Sequence, residues 1–340
     1  MRSLPFYPMM VLLLIGLGGY LGCDPNSLPV QVDTGDQFTA TTSAAGNSLG
    51  RPPGNQPGTT STSIPARTTS TVLIGSFNMK RFGPSKLGQP WVMEKFSTII
   101  RHFDVIALQE ITSQDQRTLP QLVELINRAG VNYSYTISPR VGRVSSGYYE
   151  QYAFVYDSNR IRSGPEFCYP VQDDADVLHR EPFVGRFETA GNQPFSFTLI
   201  NMHTDPDEIK YELDVLADVF VNVRQFEYPE DDVILLGDLN ADPKNFQKLG
   251  RIPGFVPVIL GIPTNTRKNK MLDNILIDQQ KTNEFTGRAG VLDLEQLFQL
   301  QLADVERISD HLPVWAEFTM SEQPTAFTAT APSPGDTFVR

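Results

Sequence analysis

The chain has 340 residues, 40% of them hydrophobic and 20% charged, enough to bury one large core or two smaller ones and too much for a wholly disordered or collagen-like polypeptide. Only two cysteines are present, so a disulfide scaffold is excluded. Acidic residues outnumber basic ones 39 to 28, a formal charge of -11, so the molecular field does not attract polyanions; nucleic-acid chemistry would rest on local cations or a bound metal.

At the N-terminus an apolar run from Met9 to Gly22 stands behind Arg2, the layout of an export signal. It is short for a spanning helix, which needs about 20 apolar residues. Gly22-Cys23 closes it and resembles a bacterial lipoprotein box, which marks Cys23 for lipidation and residues 1–23 as a signal. Ordinary signal cleavage and an uncleaved anchor are the other readings. All place the protein in the cell envelope, membrane-anchored or secreted. With Cys23 lipidated, Cys168 has no intramolecular disulfide partner.

From Asp24 to Ser70, 26 of 47 residues are Ser, Thr, Pro or Gly, and few bulky apolar side chains offset the entropy of ordering, so residues 24–70 read as a flexible tether. Residues 321–340 have the same character and read as a disordered tail. Between them, residues 71–320 suit a single large α/β domain, expected to be monomeric.

Within that region strand and helix patterns alternate. Runs of Val, Ile, Leu and Phe predict strands at Val72–Phe77, Val105–Leu108, Tyr152–Tyr156, Phe183–Phe187, Phe195–Met202, Val233–Leu236, Asn274–Ile277 and Val314–Phe318. Helical spacing joins Trp91, Val92, Phe96, Ile99, Ile100 and Phe103, and again Leu119, Leu122, Val123 and Ile126, stopped by Gly130. A third helix is expected to start at Asp205-Pro206-Asp207-Glu208, with Asp205 as N-cap and Glu208 as its capping-box partner, and to bury Ile209, Leu213, Leu216, Phe220 and Val223.

Polar residues follow directly on apolar runs, where a sheet edge holds them rigidly: Asn78, Gln109-Glu110, His203, Gly237-Asp238-Leu239-Asn240, and Ser309-Asp310-His311 before the last strand. Singly, such a carboxylate is more often a turn former or helix cap, and a lone His a core or surface residue. Five endings together argue for one convergent site. Its hard oxygen donors (Glu110, Asp310, Asp238, Asn78, Asn240) suit Mg²⁺, with Ca²⁺ or Mn²⁺ next; no clustered Cys/His spacing points to zinc.

The order of motifs resembles the endonuclease/exonuclease/phosphatase superfamily, and within it the deoxyribonuclease I branch, over nearly all of residues 71–320. The matching segments are Phe77-Asn78-Met79-Lys80-Arg81-Phe82-Gly83, Asp104 to Glu110, Ser146 to Tyr152, Arg180-Glu181-Pro182-Phe183, His203, Gly237 to Asp242, Leu272-Asp273-Asn274-Ile275 and Ser309 to Val314. The resemblance implies an α/β (α+β) four-layer sandwich, two mostly antiparallel sheets flanked by helices, with the site at one rim. It implies a metal-dependent phosphodiester hydrolase acting on nucleic acid, most simply DNA. Glu110, Asp310 and Asn78 would hold the metal. Asp238 and Asn240 would align water or hold a second ion. His203 and His311 would serve proton transfer or stabilise the pentacovalent state, oriented by Glu150 and Asp273. Arg180 would grip the phosphate, with Tyr148, Lys80, Arg140 and Arg143 on the sugar-phosphate backbone. Structural readings stand beside these: Asn78 closing a turn, Glu150 on an edge strand, Arg180 paired with Glu181 or Asp176, His102 in a helical stripe, Cys168 inert.

Thr112 stands where deoxyribonuclease I has a minor-groove arginine, Asn274 where it has another arginine, and the disulfide beside Gly-Asp-x-Asn is missing. These changes bear on preference for duplex DNA more than on hydrolysis. A same-fold phosphoesterase acting on lipid or small phosphate esters is the alternative, and a non-catalytic surface binding module the second.

Overall fold

Each of the eight apolar runs forms a strand in the computed structural model, which describes residues 59–323. The expected signal with Cys23, the tether up to residue 58 and the tail from residue 324 lie outside the described residues.

The strands build two sheets of seven. One runs β1 (Thr59–Ser61), β13 (Phe285–Val291), β14 (Val314–Thr319), β2 (Thr71–Phe82), β3 (Val105–Ile111), β5 (Gln151–Asp157) and β4 (Tyr133–Ile137); β1–β13 and β2–β3 are parallel and the other pairs antiparallel. The other runs β11 (Phe255–Pro257), β12 (Asp273–Asp278), β10 (Val233–Asp238), β9 (Ser196–His203), β8 (Phe183–Thr189) and β6 (Ile161–Arg162), with β7 (Cys168–Pro170) also on β8; here only β9–β10 is parallel. This is the expected sandwich of mostly antiparallel sheets.

Strand alternation sorts the side chains into layers. Phe197 and Leu199 of β9 and Ile234 and Leu236 of β10 join the core shared by both sheets, where Phe154 of β5 stacks on Phe183 (centroids 5.4 Å apart) and meets Phe187 edge-on at 5.1 Å. The alternate residues Ile200, Met202, Val233 and Leu235 face α4 (Ile209–Phe226), which covers them with Leu213, Leu216, Phe220 and Val223. Full burial of each such side chain stabilises by about 1.5–3 kcal/mol. The helices α1 (Pro84–Leu87), α2 (Pro90–Ile100), α3 (Thr118–Asn127), α5 (Leu294–Phe298) and α6 (Leu302–Ile308) go with the first sheet. Pro90 opens α2, where its missing N–H costs nothing, and Val92, Phe96, Ile99 and Ile100 bury its inner stripe.

Three expectations are corrected. The third helix starts at Ile209, one turn later than expected. The Asp205 carboxylate instead accepts the Asp207 N–H (2.8 Å), Asp205 N–H donates to Glu212, and Glu208 pairs with Arg143 at 2.8 Å, so the expected cap residues are spent on a turn. The tether boundary at Ser70 lies inside the described structure. β1 pairs with β13, and Arg67 reaches Asp104 (2.6 Å) and Asp157 (2.5 Å), so residues 59–70 lie against the domain. At the other end Ser321 bridges to Pro194 and Gln323 N–H donates to Glu284, so residues 321–323 are part of it too.

Candidate active site

Register places the central carboxylate. Asp238, the last residue of β10, lies opposite His203 on parallel β9 and opposite Asp273 on antiparallel β12. Asp238 and His203 continue the rows that begin as Leu236 and Leu199, so the apolar layer between the sheets becomes polar at this rim. Gly237 makes the approach possible: its φ is +149°, and a Cβ there would stand 1.8 Å from Met202 O.

His203 and His311 both point Nε2 at Asp238 Oδ2, each 3.5 Å away. Behind each ring stands another acid. His203 Nδ1 lies 3.0 Å from Glu150 Oε1, and His311 Nδ1 lies 2.9 Å from Asp273 Oδ2. Thr264 Oγ1 donates to that same Asp273 oxygen at 2.7 Å. Burial alone would lower both imidazole pKa values, but the carboxylates outweigh it. His203 is raised above its ordinary value by Glu150 and Asp238, and His311 is raised to about 10 by Asp273 and Asp238. In return, against burial, the imidazoles hold Asp238 and Glu150 below the usual carboxylate range. Asp273 goes up to about 6, because burial and Asp238 oppose its charge.

The opposite wall comes from two bulged strands. Pairing of β2 with β3 shifts after Asn78, and that of β3 with β5 after Leu108. At these bulges Lys80, Arg81 and Glu110 take φ of +47°, +52° and +61°, strained values for side chains with a Cβ and of a kind concentrated at functional sites. The buried Asn78 amide donates at 3.0 Å to both Glu110 and Asp238, while its oxygen accepts the Lys80 N–H. Glu110 Oε2 accepts the Arg81 N–H (2.8 Å) and the Tyr148 hydroxyl (3.3 Å). Asp310 is exposed and 3.4 Å from Lys80 Nζ. Asn240, at φ +49°, donates its amide to Thr204 O and its N–H to Asp238 Oδ1.

Arg180 is 3% exposed. Its Nε donates to His203 O, its guanidinium lies over the Tyr148 ring at 5.9 Å, and its Nη2 is buried without a hydrogen-bond partner. It sits 3.9 Å from Glu150 and 4.0 Å from Asp205, and pairs with neither Glu181 nor Asp176. Glu150, fully buried on the edge of β5, is no surface charge.

Thus Asn78, Glu110, Glu150, His203, Asp238, Asn240, Asp273 and His311 converge, with Tyr148 and Arg180 on the flank. Arg140 and Arg143 do not join them. Arg140 donates to the carbonyls of Thr112, Ser113 and Tyr149, and Arg143 to Glu208 and the carbonyls of Asp176 and Val177, so both guanidinia brace loops. His102 is half-buried off the site. His179 pairs with Asp205 at 3.3 Å. Cys168 is pushed to about 11 by burial, which leaves its thiol protonated and unreactive. Sequence reasoning missed Thr264, a hydroxyl in an unpatterned loop, and Arg81, whose guanidinium lies 5.8 Å from the Tyr148 ring. It also missed Gln109–Asn201, a 2.7 Å bond joining the two sheets beneath the site. Gln109 is among the polar residues that follow an apolar run in the sequence, whereas Asn201 lies within β9 as a polar break inside an apolar run.

The donor set fits a hard divalent cation. Glu110 offers a carboxylate held by three donors, Asp238 a second beside it, and among the described residues no thiol is near. Asp238, Asp273 and His311 also bring three ligand atoms within 4.8 Å of one another, but His311 is raised to about 10, so its ring there holds a proton.

An orphaned guanidinium nitrogen beside acid-paired imidazoles suits hydrolysis of a phosphate ester, and comparison with known proteins shows that class. The chain belongs to the endonuclease/exonuclease/phosphatase family, whose sequence model matches residues 75–311. It is similar to deoxyribonuclease-1-like 1 of Homo sapiens (33% identity over 261 residues, 73% of this chain and 85% of that one). It is also similar to deoxyribonuclease gamma of Rattus norvegicus (34% over 256 residues, 70% and 82%). Its fold matches D. rerio TDP2 complexed with single strand DNA product (TM-score 0.51, 16% identity, 73% of this chain and 98% of that one).

Proposed function

We propose that the chain is a divalent-metal-dependent endonuclease that hydrolyses DNA backbone phosphodiesters by attack of water. The observation that carries this reading is the single Asp238 oxygen facing two imidazoles, each backed by its own buried acid. The names of the curated relatives favour DNA as the substrate.

A phosphodiester is an anion that repels hydroxide, so hydrolysis needs charge neutralisation, an aligned water and a proton for the leaving oxygen. Glu110 and Asp310, with Asn78 as third donor or as the brace of Glu110, would hold a Mg²⁺ ion, which would supply positive charge at the phosphate. Asp238, kept ionised, accepts a hydrogen bond from the attacking water, and Asn240 fixes Asp238 through its N–H. His203 and His311 hold protons at Nε2 and place them where charge builds on the phosphorane and on the leaving oxygen. Arg180 Nη2 makes no hydrogen bond, its Asp205 partner standing 4.0 Å away, and so has bonding capacity for a phosphate oxygen. Tyr148 and Lys80 contact the sugar-phosphate backbone.

The test is nicking of supercoiled plasmid with Mg²⁺, with and without EDTA. Activity abolished by EDTA, and cut about 10³-fold or more by Glu110→Ala or His203→Ala, is expected. Release of phosphocholine from sphingomyelin, or of phosphate from inositol phosphates, without nicking would substitute the phosphoesterase alternative. Binding of DNA without hydrolysis of any substrate would leave the binding module.

We also read residues 1–23 as an export signal ending on a lipidated Cys23, which anchors the domain in the cell envelope by a tether. Radiolabelled fatty acid incorporation, lost in Cys23→Ala, checks it.

A further inference from the structure

At the opposite end of β10 a second acidic group has formed. Asp232 precedes β10, Glu284 precedes β13, and Glu322 follows β14; one ligand oxygen of each lies within 4.8 Å of the others. Glu230, Asp231 and Asp232 form an overlapping group of the same closeness. The six-residue strand β10 runs from just after Asp232 to Asp238, about 20 Å, so this is not the catalytic rim.

Two features distinguish the group from an ordinary acidic surface. Asp232 and Glu284 are each only 1% exposed, yet Asp232 Oδ1 and Glu284 Oε2 receive no hydrogen bond from any N–H or hydroxyl, and the two carboxyls lie within bonding reach of each other. The other Glu284 oxygen accepts the Gln323 N–H at 2.6 Å, which leaves Oε2 for the cluster. Beside Asp232, the Thr282 hydroxyl is buried without a bond of good geometry. Second, among the described residues no Lys or Arg is ion-paired with Glu230, Asp231, Asp232, Glu284 or Glu322. The two arginines on the neighbouring cleft are engaged elsewhere, Arg162 with Glu188 (3.2 Å) and Arg186 with Glu227 (2.7 Å). Buried carboxylates facing one another without cations are costly. The protein bears this cost as raised pKa values, about 9 for Asp232 and about 7 for Glu322, from burial first and neighbouring acids second.

We propose that Asp232, Glu284 and Glu322 bind a calcium ion that locks the C-terminal segment to the sheets. All the available donors are oxygens. Carboxylates from three separate segments, with a threonine hydroxyl beside them, suit the six to eight flexible oxygen contacts that calcium takes; magnesium demands a tighter octahedron and gives up its waters reluctantly. A cleft of about 680 Å³, lined in part by Ser196, Glu230, Asp231 and Glu322, gives a hydrated ion a way in. The segments so joined are already adjacent through the main chain: Thr198 N–H donates to Asp232 O, Thr319 N–H to Glu284 O, and Glu322 N–H to Gln193 O. The ion therefore fastens the start of β10, the turn before β13 and the strand end at β14 at one point.

Calcium titrations of the full-length protein, in Mg²⁺ high enough to fill the catalytic rim, test this by calorimetry and thermal unfolding. Wild type is expected to bind one calcium that Mg²⁺ does not displace, and to gain about 5 °C in Tm at a hundredfold excess over Kd. Asp232→Asn with Glu284→Gln is expected to weaken that binding at least tenfold, to lose the Tm gain, and to keep plasmid nicking in Mg²⁺ within twofold. Should the double variant not fold, Glu322→Gln at the exposed edge gives the same readout with little risk to the core. The proposal is overturned if wild type binds no such calcium, in which case Asp232 and Glu284 share a proton, or if the variants show the wild-type calcium shift.

Discussion

His203 and His311, 108 positions apart in the chain, turn the same ring nitrogen toward one oxygen atom, Asp238 Oδ2, at the same distance of 3.5 Å. Neither ring is free to rotate away, because Glu150 holds one and Asp273 the other by Nδ1.

The first expectation follows from that sharing. Groups that act on one reacting centre do not lose activity additively. His203→Ala and His311→Ala are each expected to cut plasmid nicking about 10³-fold, and the double variant by far less than the product of the two losses. Asp238→Asn should cost as much as either. Rates measured at saturating Mg²⁺ decide it, and strictly multiplicative losses would show that the imidazoles act independently.

The second concerns pH. Glu150 raises the His203 pKa above 6.5 and is itself held below 4.5. A raised imidazole stabilises the fold fully below pH 6.5, and that contribution is lost as pH rises through the folded value. A depressed carboxylate stabilises above pH 4.5, and its contribution is lost as pH falls through the folded value. Both contributions are present together between these limits. Glu150→Gln is therefore expected to destabilise most near pH 5 to 6, by about 3–5 kcal/mol for breaking a buried pair, and progressively less toward pH 9. Urea unfolding of wild type and variant across that range gives the curve. A gap that stays constant or widens with pH would contradict the assignment.

How much of this could be read in advance depends on what a strand-end pattern records. Asn78, Glu110, His203 and Asp238 each follow an apolar run, so alternation and the sharp polar break reveal them. Their convergence is a matter of sheet order, which local pattern does not contain; the motif order supplied it. The bulges at Lys80–Arg81 and Glu110 escape sequence reading because these residues take left-handed φ without the glycine that advertises it. Arg140 and Arg143 were misassigned because a guanidinium reads the same whether it faces phosphate or backbone carbonyls. Arg67 was hidden by composition: the Ser/Thr/Pro-rich stretch around it masks a buried ion-pair partner.

That residue carries the third expectation. Asp104 is fully buried and accepts from Arg67, Arg160 and the Leu73 N–H. Removing Arg67 leaves Asp104 with one cation and Asp157 without its Arg67 contact. Arg67→Ala is expected to lower stability by about 2–4 kcal/mol. A chain starting at Thr71 should unfold at lower urea than one starting at Thr59, by at least as much. Equal midpoints would return residues 59–70 to the tether.

The last expectation concerns a lysine outside the catalytic group. Lys86, buried on α1, donates to Met79 O at 2.7 Å and to Ile308 O at 2.6 Å. Burial first and Lys80 second bring its pKa down to about 8, so it is charged at neutral pH. Beside it Ser309 Oγ donates to Asn78 O at 2.7 Å. These bonds fasten the bulged end of β2 to the loop that carries Asp310 and His311. Lys86→Met keeps most of the volume and removes the ammonium. The relief of a buried charge offsets part of the lost bonding, so stability is expected to change by only about 1 kcal/mol. Position is another matter, since displacement by a fraction of an ångström is costly to a site built on geometry. We expect kcat to fall about 10- to 100-fold with KM within threefold, because Lys86 reaches no substrate and only holds the groups that do. A drop in stability with unchanged kcat would make Lys86 a packing residue and nothing more.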